Sequence, residues 1–258
     1  MKHNHLITPH DLILTIPLLI AFIFYCLAVI KSNASYRKWP GYRMVCWFLG
    51  IFSVMIAAIG PVAVQAHSNF VYHMIVHLLL GMLAPLLIVV SQPVTLLLRT
   101  LPVRTARKLS RLLKSWPVHV YSHPMVASIL NIGGLWVLYT TELFNAMHHN
   151  PFIHLIVHFH VFIAGYLFTV SIIYVEPTHR RYSFVFRTIV FLIAFAAHGI
   201  LAKYMYAHPP NGVPADQAKT GAMLMYYGGD AIDIILIFIF CYQWYRTSRP
   251  TATIATAR

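Results

Sequence analysis

The sequence is poor in charge. Asp, Glu, Lys and Arg make up only 10% of its 258 residues, and only six residues are acidic, against about a quarter charged in a soluble globular domain. A chain of 29.4 kDa needs more charge than this to cover a water-facing surface, so an ordinary soluble domain is excluded. Three cysteines without a C-x-x-C pair exclude a disulfide scaffold, and twelve glycines exclude a collagen-like chain. No H-E-x-x-H, G-x-S-x-G or phosphate-cradling glycine loop occurs. Glu142 and Glu176 fall at opposite ends of predicted spans and form no acid–base pair, so the chain reads as a non-enzyme. No internal repeat relates its halves, which disfavours an inverted-repeat transporter.

What is abundant is apolar surface: 59% of residues, with a mean hydropathy of +0.69. Seven apolar runs are long enough to cross a bilayer: 12–30, 45–64, 71–90, 125–143, 152–174, 184–206 and 221–242. The expectation is an all-α integral membrane protein with seven transmembrane helices. Residues 1–246 form one domain, and 247–258, rich in Thr and Ala, form a polar, disordered tail. The first run is read as a retained span, because its upstream flank is nearly uncharged and no clear cleavage site follows.

Sixteen of the nineteen Lys and Arg residues lie in the first, third and fifth loops and the tail. The positive-inside rule then places the N-terminus outside and the C-terminus in the cytoplasm. The net charge of +13 is thereby a topological device, and no nucleic-acid partner is expected. In the basic loop 99–123, Leu109, Leu112, Leu113 and Trp116 recur at helical spacing between Arg107, Lys108, Arg111 and Lys114. That pattern predicts an amphipathic helix on the cytoplasmic leaflet.

The same topology sorts the sixteen histidines unequally. His119, His123 and His179 fall on the cytoplasmic side, and the other thirteen fall outside or in the outer halves of spans. His73 and His77 on the third span, and His154 and His158 on the fifth, are four residues apart, so each pair shares a helix face. His198 lies in an apolar stretch of the sixth span, and Asp230 and Asp233 share a face of the seventh. At about 1.5 Å rise per residue, His77 and His158 lie roughly 10 Å below their outer span ends, His198 roughly 12 Å and Asp230 roughly 14 Å. Ionisable groups in lipid face the bundle interior and each other, so the four spans are expected to build one site.

Imidazole suits copper, zinc, nickel or haem iron, and carboxylates orient the imidazoles. Met74 and Met223, among other outer-half methionines, supply soft sulfur that tilts the choice toward copper, as Cu(I). The plain alternative for the histidines is interhelical hydrogen bonding. Cys26, Cys46 and Cys241 lie near the cytoplasmic face and read as packing thiols.

The block Val71-Tyr72-His73-Met74-Ile75-Val76-His77-Leu78-Leu79-Leu80, followed by Ala84-Pro85-Leu86-Leu87 and Gln92-Pro93, resembles the signature span of the CtaG family. Members of that family are multi-span assembly factors for caa(3)-type cytochrome c oxidase. His123-Pro124, His198-Gly199, Asp216-Gln217, Gly221, Met225 and Gly228-Gly229-Asp230 extend the resemblance from about Cys46 to Ile235. The family usually has a polar Gln where Val76 stands, and a Trp where Tyr226 and Tyr227 follow Met225. The resemblance implies a multi-pass protein of the bacterial plasma membrane that helps to build a haem–copper oxidase, with an oxidase subunit as partner and copper as its charge.

Joined to the histidine pattern, it gives a copper site on the extracytoplasmic side. His73, His77, His154, His158 and His198 are ligands, Asp230 and Asp233 are ligands or hydrogen-bond partners, and Met74 and Met223 are exchangeable soft donors. Two rivals stand beside this. One is a b-type cytochrome with haem between the third and fifth spans, where Gly81 and Gly165 would accept the macrocycle. The other is a proton or ion transporter using the His/Asp layer as a relay.

Overall fold

The computed structural model describes residues 9–178 and 180–248, with side chains from Thr15 onward. His3, His5, His179, the His10 side chain and residues 249–258 of the expected tail lie outside the described residues.

Every regular element among the described residues is helical, as the apolar runs predict. In chain order these are α1 (Pro9–Ser35), α2 (Gly41–Ala58), α3 (Pro61–Ala66), α4 (Phe70–Leu78), α5 (Ala84–Ser91), α6 (Pro93–Thr100), α7 (Val103–Leu113), α8 (Trp116–Tyr121), α9 (Pro124–Ser128), α10 (Gly134–Thr140), α11 (Leu143–His149), α12 (Pro151–Ile172), α13 (Phe184–Ala207) and α14 (Ala215–Ser248). Side chains start several of them. The Asn69 carboxamide oxygen accepts from the Val71 and Tyr72 N–H groups, and that of Asn150 accepts from Phe152 and Ile153. Ser183 accepts from Phe186. Each occupies donors that a helix N-terminus leaves unpaired, and Pro151 adds the fixed φ suited to the first helical position.

Among the described residues, six helices are long and apolar enough to cross a membrane: Thr15–Ser35, Gly41–Ala58, Phe70–Thr100, Pro151–Ile172, Phe184–Ala207 and Ala215–Ser248. A seventh crossing depends on a bent pair, Pro124–Thr140 with Leu143–His149, which meet at 77°. The predicted fourth span, 125–143, therefore ends early, and its last turn is replaced by α11 folded across the bundle end. The predicted second span, 45–64, is also broken. Its helix stops at Ala58, Gly60 takes φ +86°, and Pro61 opens the separate α3. The third and last predicted spans are longer in the structure, because Gln92 at φ +56° interrupts the helix without ending the apolar segment and because polar turns extend α14 at both ends.

The third crossing is the axle of the bundle. Its most apolar window is 67% buried, against 17–39% for the other five. Gly165 of α12 sits so close to it that a Cβ there would lie 2.0 Å from the Gly81 carbonyl oxygen. A π-helical turn, Leu79–Leu83, joins α4 to α5 at this crossing. A second π-helical turn, Ile129–Gly133, joins α9 to α10, and His160 Nε2 hydrogen-bonds the Leu130 carbonyl inside it. Turns of this kind rotate the side chains beyond them out of α-helical register.

Tertiary contacts sort the loops into two ends. At the basic end, the Arg99 guanidinium donates to the Arg37 carbonyl, and Arg180 reaches His119 at 3.4 Å. At the other end, Asn211 donates to Glu142 at 2.6 Å and the Phe70 N–H donates to Gln217. The amphipathic helix expected in the basic loop forms as α7, with no buried residue, and Leu112 and the nearby Trp116 are exposed. Arg187, one of the loop cations, is instead fully buried, caged by Tyr174, Phe184 and Phe240 and donating to the Ile172 carbonyl.

Glu176 is a cap supplied from a distance. Its carboxylate accepts from the Val94 N–H at 2.8 Å, the Thr95 N–H at 2.9 Å and the Thr95 hydroxyl at 2.6 Å, closing the N-terminus of α6. Burial pushes the carboxyl up from its usual range, against the lowering effect of those hydrogen bonds and of Arg43. Because the folded-state pKa is raised, the stability this proton binding contributes is complete below the unfolded-state pKa and is lost as pH rises through the folded value. Glu176→Gln is expected to flatten thermal stability across that interval. Glu176→Ala, which strips the partly buried donors of their acceptor, is expected to cost about 2 kcal/mol at every pH; thermal unfolding in detergent against pH measures both.

Candidate functional site

The Asn69 cap fixes where α4 begins, and with it the direction of His73 and His77. Both are buried, at 3% and 5% exposure. They meet His158 of α12 across a cavity of about 10 Å³ lined by His73, His77, Tyr139, His158 and apolar residues. His73 Nε2 and the Tyr139 hydroxyl are hydrogen-bonded at 3.1 Å, and the His73 ring lies 6.0 Å from that of His158. The His154 and His158 rings are 4.1 Å apart, and His154 stacks on His67 at 4.7 Å.

His77 also faces a second cavity, of about 30 Å³, whose polar lining is His77, Asn131, Thr169, His198 and Asp233. The His77 and His198 rings are 6.1 Å apart with their planes within 24° of parallel. Both ring nitrogens of His77 and Nε2 of His198 are buried without a hydrogen-bond partner. Unpaired polar atoms in a low-dielectric interior are costly and rare in folded proteins, so three from two facing rings call for an account. His198 is pressed against α14, where a Cβ on Gly229 would meet its Cε1 at 2.6 Å; only glycine admits the imidazole there. Asp233, one turn farther along α14, is buried at 6% exposure.

Of the residues singled out from sequence, the fold brings together His73, His77, His158 and His198, with Asp233 beside His77 and His198 and with His154 stacked outside His158. Asp230 is half-buried and does not line the cavity. Met74 is fully buried in the core among Phe70, Tyr139 and Met225, and Met223 is 45% exposed on the outer face of α14; neither lines a histidine cavity. Met82 does, beside His77 and His198. Met82 and Asn131 were not legible because each lies in or next to a π-helical turn, where helical spacing no longer tells which face a residue takes.

Gly81 and Gly165, which sequence alone offers as seats for a haem, are instead in contact with each other, and a Cβ on Gly81 would meet Val161 at 2.8 Å. Helix touches helix where the macrocycle would lie. The neighbouring cavities of about 10 and 30 Å³ are far below the roughly 300 Å³ or more of ligand pockets.

Among the described residues, no three His, Cys, Asp or Glu side chains converge closely enough to hold a metal ion together. A four-coordinate zinc site is therefore not preformed. The donors present are facing imidazole nitrogens, a nearby thioether and one buried carboxylate. That set fits a soft monovalent ion content with few ligands, such as Cu(I), better than a hard divalent one.

Residues 23–247 match the family of cytochrome c oxidase caa3 assembly factors. An uncharacterized protein of Mycobacterium bovis is 33% identical over 152 residues, which is 56% of this chain and 23% of that protein, and one of Mycobacterium tuberculosis matches equally. An uncharacterized protein of Mycobacterium leprae is 28% identical over 172 residues, 64% of this chain and 26% of its own length. The chain thus spans about a quarter of the relatives it matches. No solved structure matches it. With the family match covering nearly all the described helices, the chain belongs to the CtaG family of cytochrome c oxidase caa3 assembly factors.

Proposed function

We propose that the chain aids maturation of a caa3-type oxidase by carrying copper as cargo between His77 and His198 and passing it to an oxidase subunit. The observation that carries this reading is the set of buried, unpartnered nitrogens on those two rings beside Asp233. In this role His77 and His198 bind the ion, and Met82 offers a soft sulfur that can be exchanged during transfer. Asp233 offsets the ion's charge where the dielectric is low, a task for which one carboxylate matches one positive charge. His154 and His158 extend the donor set toward the bundle end, and His73 is engaged with the Tyr139 hydroxyl beside them. The positive-inside rule turns the basic end to the cytoplasm, which leaves the histidine end on the extracytoplasmic side of the bacterial plasma membrane.

The test is an absorption spectrum and elemental analysis of the detergent-purified chain after equilibration with Cu(I) and removal of unbound metal. Copper near one ion per chain without a Soret band is the expected result. A Soret band would move the protein to the cytochromes, and absence of both copper and haem would end the cargo reading.

A further inference from the structure

The histidine end carries a second histidine group that the buried pair does not use. An open cavity of about 210 Å³ is rimmed by His67, His148, His149, Asn145, Asn211 and Gln217, from the C-cap of α3, from α11, from the loop before α14 and from the first turn of α14. Three of these imidazoles share one geometry. Nδ1 of His67 lies 2.9 Å from the Ala63 carbonyl, Nδ1 of His148 2.8 Å from that of Phe144, and Nδ1 of His149 2.9 Å from that of Asn145. A carbonyl only accepts, so each Nδ1 donates its hydrogen, and the lone pair of the neutral ring is on Nε2. His158 repeats the arrangement, with Nδ1 donating to the His154 carbonyl at 3.0 Å. A backbone carbonyl on one nitrogen is also how metal-binding imidazoles are commonly oriented to present the other.

From this vestibule, rings lead inward. His67 stacks on His154, His154 lies against His158, and His158 shares the wall of the small cavity with His77. His77 then faces His198.

We propose that this vestibule is a separate acceptance site for Cu(I), and that the ion reaches the buried pair through His154 and His158; this rests on the copper reading above. The transfer is ligand exchange. A bond from copper to an inner imidazole nitrogen forms as one to an outer imidazole breaks, the ion keeps its single positive charge, and no electron or proton is transferred. The outer imidazoles are spread round an open cavity and do not converge, which makes their hold weak and release inward easy. A convergent site at the mouth would instead trap the ion.

The test follows copper uptake by the purified chain in stopped flow, from Cu(I) buffered by a coloured chelator. A His67→Asn, His148→Asn double variant is expected to load at least tenfold more slowly while reaching the wild-type copper content. Should that variant misfold, Asn145→Lys at the exposed rim replaces it. The added positive charge is expected to slow uptake, and rising salt to restore it. An unchanged loading rate in a folded variant overturns the acceptance site while leaving the cargo reading intact. Failure of the wild-type chain to take up copper overturns both, and the end-point copper content distinguishes the two results.

Discussion

Replacing Gly165 with Val removes the folded protein from the membrane. A Cβ at this position would lie 2.0 Å from the Gly81 carbonyl oxygen and 3.2 Å from a Pro85 side-chain carbon. The nearest obstacle is backbone on the most buried helix, so no rotamer change relieves it, and α12 must move away from α4 and α5. Overpacking of this kind costs about 3 kcal/mol or more, a large part of the roughly 5–15 kcal/mol that holds a domain together. Separation also breaks the histidine cavities, because His77 on one helix and His158 on the other are positioned by the same crossing. Size-exclusion profiles of detergent extracts read the loss. Gly133→Ala, where the nearest atom is 3.7 Å away, should give a wild-type profile, and a Gly165→Val protein that remained monodisperse would show that the two helices do not meet as described.

Copper falls to background in a His77→Ala, His198→Ala double variant, and the variant remains folded. The second half of this expectation follows from the unpartnered nitrogens: both of His77 and Nε2 of His198 are without a hydrogen-bond partner, so removing them strands no neighbour. What is lost is packing, about 2–5 kcal/mol for each ring by the usual cost of a core truncation, offset in part because unpaired buried nitrogens leave with it. His73→Ala provides the contrast. Its removal leaves the buried Tyr139 hydroxyl without its partner, so it should lower thermal stability while the copper content stays near wild type. Elemental analysis beside thermal unfolding separates the patterns. Full copper in the double variant would place the ion elsewhere, and loss of copper in the His73 variant alone would make the upper cavity the binding site.

The sequence showed the histidines to be paired on helix faces, but it could not say which pairs would face. His73 with His77 and His154 with His158 are consequences of 3.6 residues per turn, and both survive in the structure. That His77 faces His198 as well as His158 depends on where α13 packs, and α13 in turn is set by Gly229 admitting an imidazole. Met74 and Met223 were chosen for depth and chemistry, but depth does not say which way a side chain points. Met74 turns into the aromatic core, Met223 turns outward, and Met82, inside the π-helical turn, lines the cavity.

By itself the sequence determined the solvent, the helical class and the segregation of charge. Those properties are sums over residues, and twenty apolar residues in a row leave the backbone no option but to satisfy its own hydrogen bonds. It also determined the family, through a block of local motifs. Only the tertiary structure decided that the predicted fourth span bends at its end, that Glu176 caps a helix more than eighty residues earlier in the chain, and that two imidazoles from different helices share one cavity with three of their nitrogens unpartnered. Each of these is a contact between distant segments. Such contacts are fixed by which helices can approach closely, and that depends on a few glycines whose neighbours lie on another helix.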